Sequence, residues 1–357
     1  MIYGSVCSGI EAATVAWHPL GWRPAWFAEI EPFPQSALRQ HYGSNTIAFS
    51  LRRRSEPKEQ GGVWNLGDFT TIKPHWLRRA GIGAIDVLVG GTPCQSFSVA
   101  GKRAGLGDPR GNLTLEFLAL AGRLRPRWVV WENVPSVLSI DGGRTFGAVL
   151  GILGKLGYGF AYRVLDAQYF GVPQRRRRVF VVGYLGDWRR AAAVLFERES
   201  LSGNFDQDSE TQGQGNGVCV SYTVSSKWSK GYGGPSGDEL YNMIPVPACI
   251  YCKHCGEFLC VIHWQHAYDC PCPSVEELDY DPYAEGAIRR LLPVECERLQ
   301  GLPDNYTLIP YRGKPAADSR RYKAIGNAMA VPVMRWIGER IQMVEAIRSM
   351  KGEITWN

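Results

Sequence analysis

The sequence lacks any apolar run long enough to span a membrane, and its first residues, MIYGSVCSGIEAATVAW, contain no basic leader like that of a secretory signal. A strong charge imbalance is missing too, since the net charge is +6 and the isoelectric point about 8.8. These absences argue against a membrane or exported protein, and we expect a cytoplasmic protein with no membrane partner. The small basic excess is concentrated in LRRR at 51–54 and QRRRR at 174–178, which favours a polyanionic partner.

A complete glycine fingerprint for a dinucleotide is also missing. The first strand and turn, YGSVCSGIEAA, contain only Gly9 of the usual glycines, although Glu29 follows it by about 20 residues. That offset is the one at which such folds place a carboxylate on ribose hydroxyls. Because the extra glycines let a backbone approach a pyrophosphate, their absence favours a ligand that has a ribose and no phosphate.

The sequence does contain enough apolar residues for a large core, since 45% of its 357 residues are hydrophobic. Short apolar strands alternate with amphipathic helices over the first 185 residues, which is typical of an α/β doubly wound sheet. We expect strands at 2–7, 25–30, 85–89, 128–131 and 179–182, and helices at 9–17, 34–41, 112–123 and 145–156. Helical periodicity returns at 293–301 and again after Pro332.

The character of the chain changes after Tyr184. The segment SGNFDQDSETQGQGNG at 202–217 is polar and rich in glycine, which is typical of a flexible connection, and few periodic runs follow it. We therefore predict a main domain at 1–185, a smaller inserted domain at 186–290, and a segment at 291–357 that returns to the main domain.

Reactive side chains lie at the ends of several predicted strands. Cys94 follows an apolar strand in VGGTPCQSFSVAG, and Glu132 and Asn133 follow another in WVVWENVP. Arg176 and Arg178 precede a further strand in GVPQRRRRVFVVG. Ligands of open α/β sheets bind at the strands' carboxyl ends. Each feature alone also has a structural explanation, namely a small buried cysteine, a helix cap or a solvated basic face.

Taken together, five blocks have an order and spacing that resemble the C5-cytosine DNA methyltransferase family. They are GGTPCQSFSVAG, ENVPS, QRRRR, RRLLPVECERLQGLPDNYT and YKAIGNAMAVPV. The resemblance covers residues 1 to about 185 and 288 to about 338. It implies a Rossmann-like, S-adenosylmethionine-dependent methyltransferase domain with a smaller inserted domain at 186–290 that recognises DNA.

The resemblance also implies the catalytic chemistry. The Cys94 thiolate would add to carbon 6 of cytosine, so that carbon 5 accepts a methyl group, and loss of the carbon 5 proton would then expel the thiolate. Glu132 would assist by protonating ring nitrogen 3, and the two arginines would hold the base. Since the target atom is unreachable inside a duplex, the base must flip out. The matching catalytic residues are Cys94, Gln95, Glu132, Asn133, Arg176 and Arg178.

On the cofactor side, the resemblance makes Glu29 the acid that binds ribose, Ile30 the residue that packs on adenine, and Asp68 the acid near the adenine amino group. The first block departs from the family pattern, because Cys7 stands where an aromatic residue is common and Glu11 where a glycine is common. The expected cofactor-binding residues are Ser8, Gly9, Ile10, Glu29, Ile30, Asp68, Phe69, Gly91, Pro93, Asn327 and Ala328.

A cysteine-rich stretch in the inserted region, CIYCKHCGEFLCVIHWQHAYDCPCP at 249–273, predicts a structural zinc site. Cys252 and Cys255 form a CxxC knuckle and Cys270 and Cys272 a CxC pair, a layout able to close a tetrahedral four-thiolate site. Other cysteines and histidines of the stretch are alternative ligands. Reduced cysteines that pack a small core are the competing explanation.

Two alternatives stay open beside a DNA methyltransferase. A transfer RNA cytosine-5 methyltransferase is disfavoured by the segment of about 100 residues between Gly183 and Ile288, where duplex readers of the family carry a recognition domain. A non-catalytic, zinc-containing DNA-binding protein on the same scaffold is disfavoured by the intact PCQ, ENV and QxRxR blocks. We expect double-stranded DNA as the partner of a monomeric enzyme, and leave open a cognate restriction endonuclease.

Overall fold

The computed structural model describes residues 1–46, 62–93, 112–196 and 288–353, together with short strand segments at 221–222, 243–245, 250–251 and 258–259. The described strands are β1 Ile2–Val6, β2 Arg23–Ala28, β3 Asn45–Thr46, β4 Trp64–Asn65, β5 Val87–Gly90, β6 Trp128–Asn133, β7 Tyr158–Asp166, β8 Gln174–Arg175, β9 Arg177–Leu185, β10 Ser221–Tyr222, β11 Met243–Pro245, β12 Ile250–Tyr251, β13 Phe258–Leu259, β14 Ile288–Arg290, β15 Pro310–Tyr311 and β16 Lys314–Pro315. The described helices are α1 Ala12–Trp17, α2 Pro32–Tyr42, α3 Pro74–Arg79, α4 Asn112–Leu124, α5 Arg144–Lys155, α6 Trp188–Leu195, α7 Pro293–Gln300, α8 Asp318–Asn327 and α9 Val331–Glu353.

A mostly parallel sheet of eight strands forms the centre of the molecule, in the order β3-β4-β2-β1-β5-β6-β9-β7. Strand β9 is antiparallel to both of its neighbours, whereas the other pairs are parallel. The chain builds from β1 through β2 to β4 on one side and continues with β5 on the other side of β1. The topological switch point therefore lies between β1 and β5. The α/β, Rossmann-like fold expected from the sequence is confirmed.

Helices cover both faces of the sheet, which explains why its central strands are continuous apolar runs. On one face, Trp17 of α1, Ala191 of α6 and Ile337 of α9 belong to one hydrophobic cluster. On the other face, Phe117 of α4 and Val149 of α5 belong to a second cluster. The sheet thus has a buried core on each side, and its functional groups are confined to the strand ends.

The elements expected from the sequence correspond to β1, β2, β5, β6 and β9 and to α1, α2, α4 and α5. Helix α1 begins at Ala12 and not at residue 9, because Gly9 and Glu11 have φ angles of 56° and 62° that a right-handed helix excludes. Helix α6 lies beyond the expected boundary at residue 185, yet it packs against β7, β9 and α9. The domain boundaries stay predictions.

Several expected functional groups lie outside the described residues, namely Cys94, Gln95, Cys252, Cys255, Cys270 and Cys272. Within the described ranges, no group of three or more His, Cys, Asp or Glu side chains is arranged to hold a metal ion. The helices of those ranges include none with the length and apolar character needed to cross a bilayer. The zinc site stays a prediction.

Candidate active site

A cavity of about 1060 Å³ opens at the carboxyl ends of the parallel strands. Because β9 is antiparallel, its first residues meet the same edge of the sheet and bring Arg176 and Arg178 to the cavity. Of the expected site residues, those that line the cavity are Gly9, Glu29, Ile30, Asp68, Phe69, Gly91, Pro93, Glu132, Asn133, Arg176, Arg178 and Asn327. The fold therefore brings together residues from both ends of the chain.

A second cavity of about 30 Å³ adjoins the first and has Ser8 and Ala328 in its wall. Ser8 Oγ donates to the Ser5 carbonyl at 3.0 Å and accepts from the Ala28 amide at 3.1 Å, so it ties the turn after β1 to β2. Ile10 lines neither cavity in the described structure. It lies in the core, 1% exposed, and supplies only its carbonyl as an acceptor for the Tyr306 hydroxyl at 2.9 Å.

Glu29 is a buried carboxylate held by backbone amides. Its Oε2 accepts from the Gly9 amide at 2.7 Å, and its Oε1 accepts from the amides of Ile30 at 2.8 Å and Glu31 at 2.7 Å. Burial raises the pKa of this carboxyl, and the three amide bonds act in the opposite direction. The Glu29 backbone is fixed by the Asn65 side chain, which accepts from its amide and donates to its carbonyl. Oε2 keeps the capacity to accept from a ligand hydroxyl.

An apolar wall lies beside this acid. Ile30 is 67% exposed and faces the cavity, so a flat ring could cover it. Phe69 is buried next to it in the wall, and Asp68 caps the short helix that begins at Phe69 by accepting from the Thr70 amide at 2.9 Å. Acid and apolar surface together suit a ligand with hydroxyls and an aromatic ring.

Thr92 fixes the loop that leads to Cys94. Its carbonyl accepts from Asn133 Nδ2 at 3.1 Å, and its hydroxyl accepts from Trp131 Nε1 at 2.9 Å and lies 2.8 Å from the Thr114 hydroxyl. These bonds tie the loop after β5 to the end of β6. Thr92 was not among the site residues expected from the sequence.

Glu132 and Arg178 form an ion pair at the same edge. Arg178 Nε lies 3.2 Å from Glu132 Oε1, and the two side chains are 16% and 12% exposed. Gly91 permits this placement, because a Cβ atom there would lie 2.9 Å from Glu132 Oε2. The glycine at the end of β5 therefore has a steric function in the cavity wall.

Arg176 lies beneath the cavity, 2% exposed, and contacts the end of α8. Its Nη2 donates to the carbonyls of Gly326 at 3.1 Å and Ala328 at 2.8 Å. Burial lowers the pKa of this guanidinium. A cation that binds the last carbonyls of a helix stabilises that end. Arg176 thereby fixes the segment that carries Asn327, and its expected contact with a base stays a prediction.

Two further residues hold α8 in place and were not expected from the sequence. Gln300 Nε2 donates to the Ile325 carbonyl at 2.9 Å. Lys323 Nζ lies 2.6 Å from Glu31 Oε2 at the rim of the cavity. Neither belongs to a pattern that a sequence alone connects with the first strands.

The chain matches the family described as C-5 cytosine-specific DNA methylase over residues 1–232 and 250–343. It belongs to that family. The matched ranges include the strand ends and the α8 residues that line the large cavity.

Curated relatives of this methylase include the protein called DNA N-6-adenine-methyltransferase of Escherichia phage P1, 34% identical over 96% of this chain and 61% of that protein. The type II methyltransferase M1.ScrFI of Lactococcus lactis subsp. cremoris is 31% identical over 74% of this chain and 64% of its own length. The chain therefore spans less than two thirds of both relatives. Among solved structures, the Entamoeba histolytica methyltransferase EhMeth has a TM-score of 0.56 and 15% identity, covering 96% of this chain and 97% of that one, which supports the fold alone.

Proposed function

We propose that this methylase is a DNA (cytosine-5-)-methyltransferase that moves a methyl group from S-adenosylmethionine to carbon 5 of a cytosine flipped out of duplex DNA, through a covalent adduct with Cys94. One observation carries the proposal. The loop that leads to Cys94, the Glu132–Arg178 pair and the Glu29 carboxylate all meet at one cavity of about 1060 Å³. A nucleophile, an acid and a ribose-binding acid at one site are what this reaction needs.

The residues of one half of the cavity fit S-adenosylmethionine. Glu29 Oε2 would accept from ribose hydroxyls, Ile30 would pack on the adenine ring, and Asp68 would accept from its amino group. The cavity is at the upper end of the volumes that hold small ligands. When bound, S-adenosylmethionine supplies an electrophilic methyl group on a sulfonium sulfur.

The other half fits the target base. The Cys94 thiolate would form a bond to carbon 6, and the electron pair displaced to carbon 5 would bond to the methyl group as the methyl–sulfur bond breaks and S-adenosylhomocysteine leaves. Glu132, once protonated, would supply a proton to ring nitrogen 3 during the addition, and Arg178 would orient both the acid and the base carbonyl. A base then removes the carbon 5 proton, the carbon–sulfur bond breaks and Cys94 leaves as a thiolate. The hydrogen bond from Asn133 to Thr92 would fix the residues that precede Cys94.

Duplex DNA is the proposed substrate because the matched family is that of cytosine-specific DNA methylases. The chain has a net charge of +6, and the cavity wall carries Arg320 besides Arg178 and Lys323, which pair with Glu132 and Glu31. Such groups bind phosphates without regard to sequence. Residues 186–290 are the proposed target-recognition domain, with zinc as a proposed structural metal in it. A restriction partner is a further proposal, supported by the name type II methyltransferase of the Lactococcus relative.

The name of the phage P1 relative raises adenine N6 as a second candidate target. The chain spans 61% of that protein, so the name describes more sequence than is matched. An exocyclic amine attacks a methyl donor directly and needs no cysteine adduct. The PCQ and ENV blocks therefore favour cytosine carbon 5.

Product analysis tests the proposal. The purified protein is incubated with methyl-labelled S-adenosylmethionine and either unmethylated duplex DNA or transfer RNA, and the nucleosides are identified by mass spectrometry. We expect 5-methyldeoxycytidine from DNA and no label in transfer RNA. N6-methyldeoxyadenosine, or label in transfer RNA alone, would overturn the proposal.

A trapping experiment tests the adduct. Duplex DNA that contains 5-fluorocytosine should become covalently attached to the wild-type protein at Cys94, because fluorine does not leave as a proton does. Cys94→Ser is the matched control and should form no adduct while binding S-adenosylmethionine with unchanged affinity. An active wild type that gives no adduct would contradict the role of Cys94.

A further inference from the structure

Glu11 occupies a backbone position that suits glycine. It lies between β1 and α1 with φ 62° and ψ 54°, a left-handed conformation that side chains other than glycine rarely adopt. Its side chain is 1% exposed. Local strain of this kind persists at functional sites when the surroundings favour the residue for another reason. A buried acid at a glycine position therefore calls for a ligand or partner.

The Glu11 carboxylate contacts Thr14 through one oxygen, and the side chains of Ser5 and Ser8 are also close enough to lower its pKa. Its Oε2 accepts from the Thr14 amide at 3.2 Å and from the Thr14 hydroxyl at 2.6 Å, and that hydroxyl lies 2.7 Å from the Tyr3 hydroxyl. Its Oε1 is buried and has no hydrogen-bond partner among the described residues. A buried carboxylate oxygen without a donor is strongly unfavourable. Oε1 is therefore the oxygen of Glu11 that can still accept a hydrogen bond.

Glu11 is one of the residues that line the small cavity. Glu11 and Glu132 both line this space of about 30 Å³, and its described lining includes no lysine or arginine. About 10–15 Å³ is enough for one water-sized group. The space adjoins the large cavity, with which it shares Gly9, Gly91 and Asn327. It is an acidic recess of the right size for a single ammonium group, reached from the cofactor side.

We infer that Glu11 binds the ammonium group of the amino acid part of S-adenosylmethionine. This inference rests on the proposed function, from which it takes the cofactor. An ammonium is about the size of water, carries three donors and gives charge-assisted hydrogen bonds to carboxylates. Glu132 already pairs with Arg178, so Glu11 is the carboxylate in the recess that needs the positive charge.

Binding of three adenosine ligands to Glu11→Gln tests the inference. S-adenosylmethionine and S-adenosylhomocysteine both have the ammonium, whereas 5′-methylthioadenosine has the adenosine and sulfur without it. By isothermal titration calorimetry we expect the variant to bind the first two about 10- to 100-fold more weakly than the wild type does, and methylthioadenosine equally well. Glu11→Gly, which also relieves the backbone strain, should show the same pattern and confirms that the loss is not a folding defect.

Each of the other possible results contradicts either the inference about Glu11 or the proposed function. Unchanged binding of all three ligands would overturn the inference and leave water as the occupant of the recess. A loss restricted to S-adenosylmethionine would assign Glu11 to the sulfonium, and an equal loss for all three would assign it a structural role; both overturn the inference. A wild type that binds no S-adenosylmethionine refutes the proposed function itself, whereas an active wild type with an unaffected Glu11→Gln refutes the inference alone.

Discussion

Arg178 Nε lies 3.2 Å from Glu132 Oε1, and this pair joins the end of β6 to the beginning of the antiparallel strand β9. Each residue fixes the other, because both side chains are largely buried and have few alternative positions. The acid proposed to protonate the base is thereby oriented before any substrate arrives. Such preorganisation is the usual source of catalytic power in polar sites.

Glu132→Gln should lower turnover by about 100-fold, because glutamine keeps the size and the hydrogen bond to Arg178 but cannot supply a proton. The affinity for S-adenosylmethionine should stay unchanged. Single-turnover methylation and cofactor titration measure the two quantities. Combining Glu132→Gln with Arg178→Ala should cost less than the sum of the single effects, since the two side chains act together. Normal turnover in Glu132→Gln would exclude it as the acid.

Arg176→Met should destabilise the protein by about 3 kcal/mol, because two helix-end carbonyls lose a charged donor in the interior. It should also weaken cofactor binding, since those carbonyls flank Asn327. Urea unfolding measures the change in stability, and titration calorimetry measures the change in cofactor affinity. Arg177→Met is the matched control at the next position in the chain; Arg177 is exposed, and the change should be within about 0.5 kcal/mol. Equal effects from the two variants would contradict the structural role of Arg176.

Arg321→Met should cost about 3–5 kcal/mol, because it leaves the Glu297 carboxylate buried without its cation. Arg321 Nη2 lies 3.3 Å from Glu297 Oε1, and the Glu297 side chain is fully buried. Asp304→Asn, which breaks the half-exposed pair with Arg298, should cost less than about 1 kcal/mol. Denaturant unfolding compares the free energies of unfolding of the two variants. A large loss of stability in Asp304→Asn would show that burial does not determine how much an ion pair contributes in this protein.

Gly90→Ala should destabilise the sheet by about 1–3 kcal/mol, because a Cβ atom there would lie 2.4 Å from Val6 Cγ2 and 2.9 Å from the Val6 carbonyl. Strands β1 and β5 would have to separate at the switch point. Gly147→Ala, in helix α5 with open space around it, should instead stabilise the protein by about 0.5–1 kcal/mol. Thermal unfolding should show a lower stability than the wild type for Gly90→Ala and a higher stability for Gly147→Ala.

The free energy of unfolding of Glu11→Gln, relative to that of the wild type, should increase as the pH rises. Burial raises the pKa of Glu11 in the folded protein, so folding favours its protonated form. Its contribution to stability is therefore complete below the unfolded pKa of about 4.3 and is lost as the pH rises through the folded pKa. The ionisable groups around it include Tyr3, Tyr42 and Tyr306, whose pKa values are also raised by burial, so they stay neutral in this range. Free energies of unfolding measured without ligand from pH 4 to 8 should differ increasingly between the wild type and Glu11→Gln. A difference that stays constant with pH would contradict the raised pKa of Glu11.

The sequence predicted the strands whose apolar runs are continuous, such as β5 and β6, because a strand that is buried on both faces has apolar residues at nearly every position. It did not predict β4, which has two residues, or α8, whose segment DSRRYKAIGN is too polar to show a helical stripe. The motif blocks identified Glu132, Asn133, Arg176, Arg178 and Asn327 among the residues of the cavity wall. Thr92, Gln300 and the exact partners of Arg176 could not be predicted, because they bind backbone carbonyls and hydroxyls that only the fold brings near.

Trp17 of α1 donates to the Met334 carbonyl of α9 at 2.7 Å, and α8 completes the cavity that β1 and β2 begin. During synthesis, the first cavity residues leave the ribosome about 300 residues before Asn327 does, and at typical rates they wait on the order of tens of seconds. The long sequence separation also slows the closing contact. A nascent chain therefore lacks the complete cavity, which forms only after the C-terminal helices have docked.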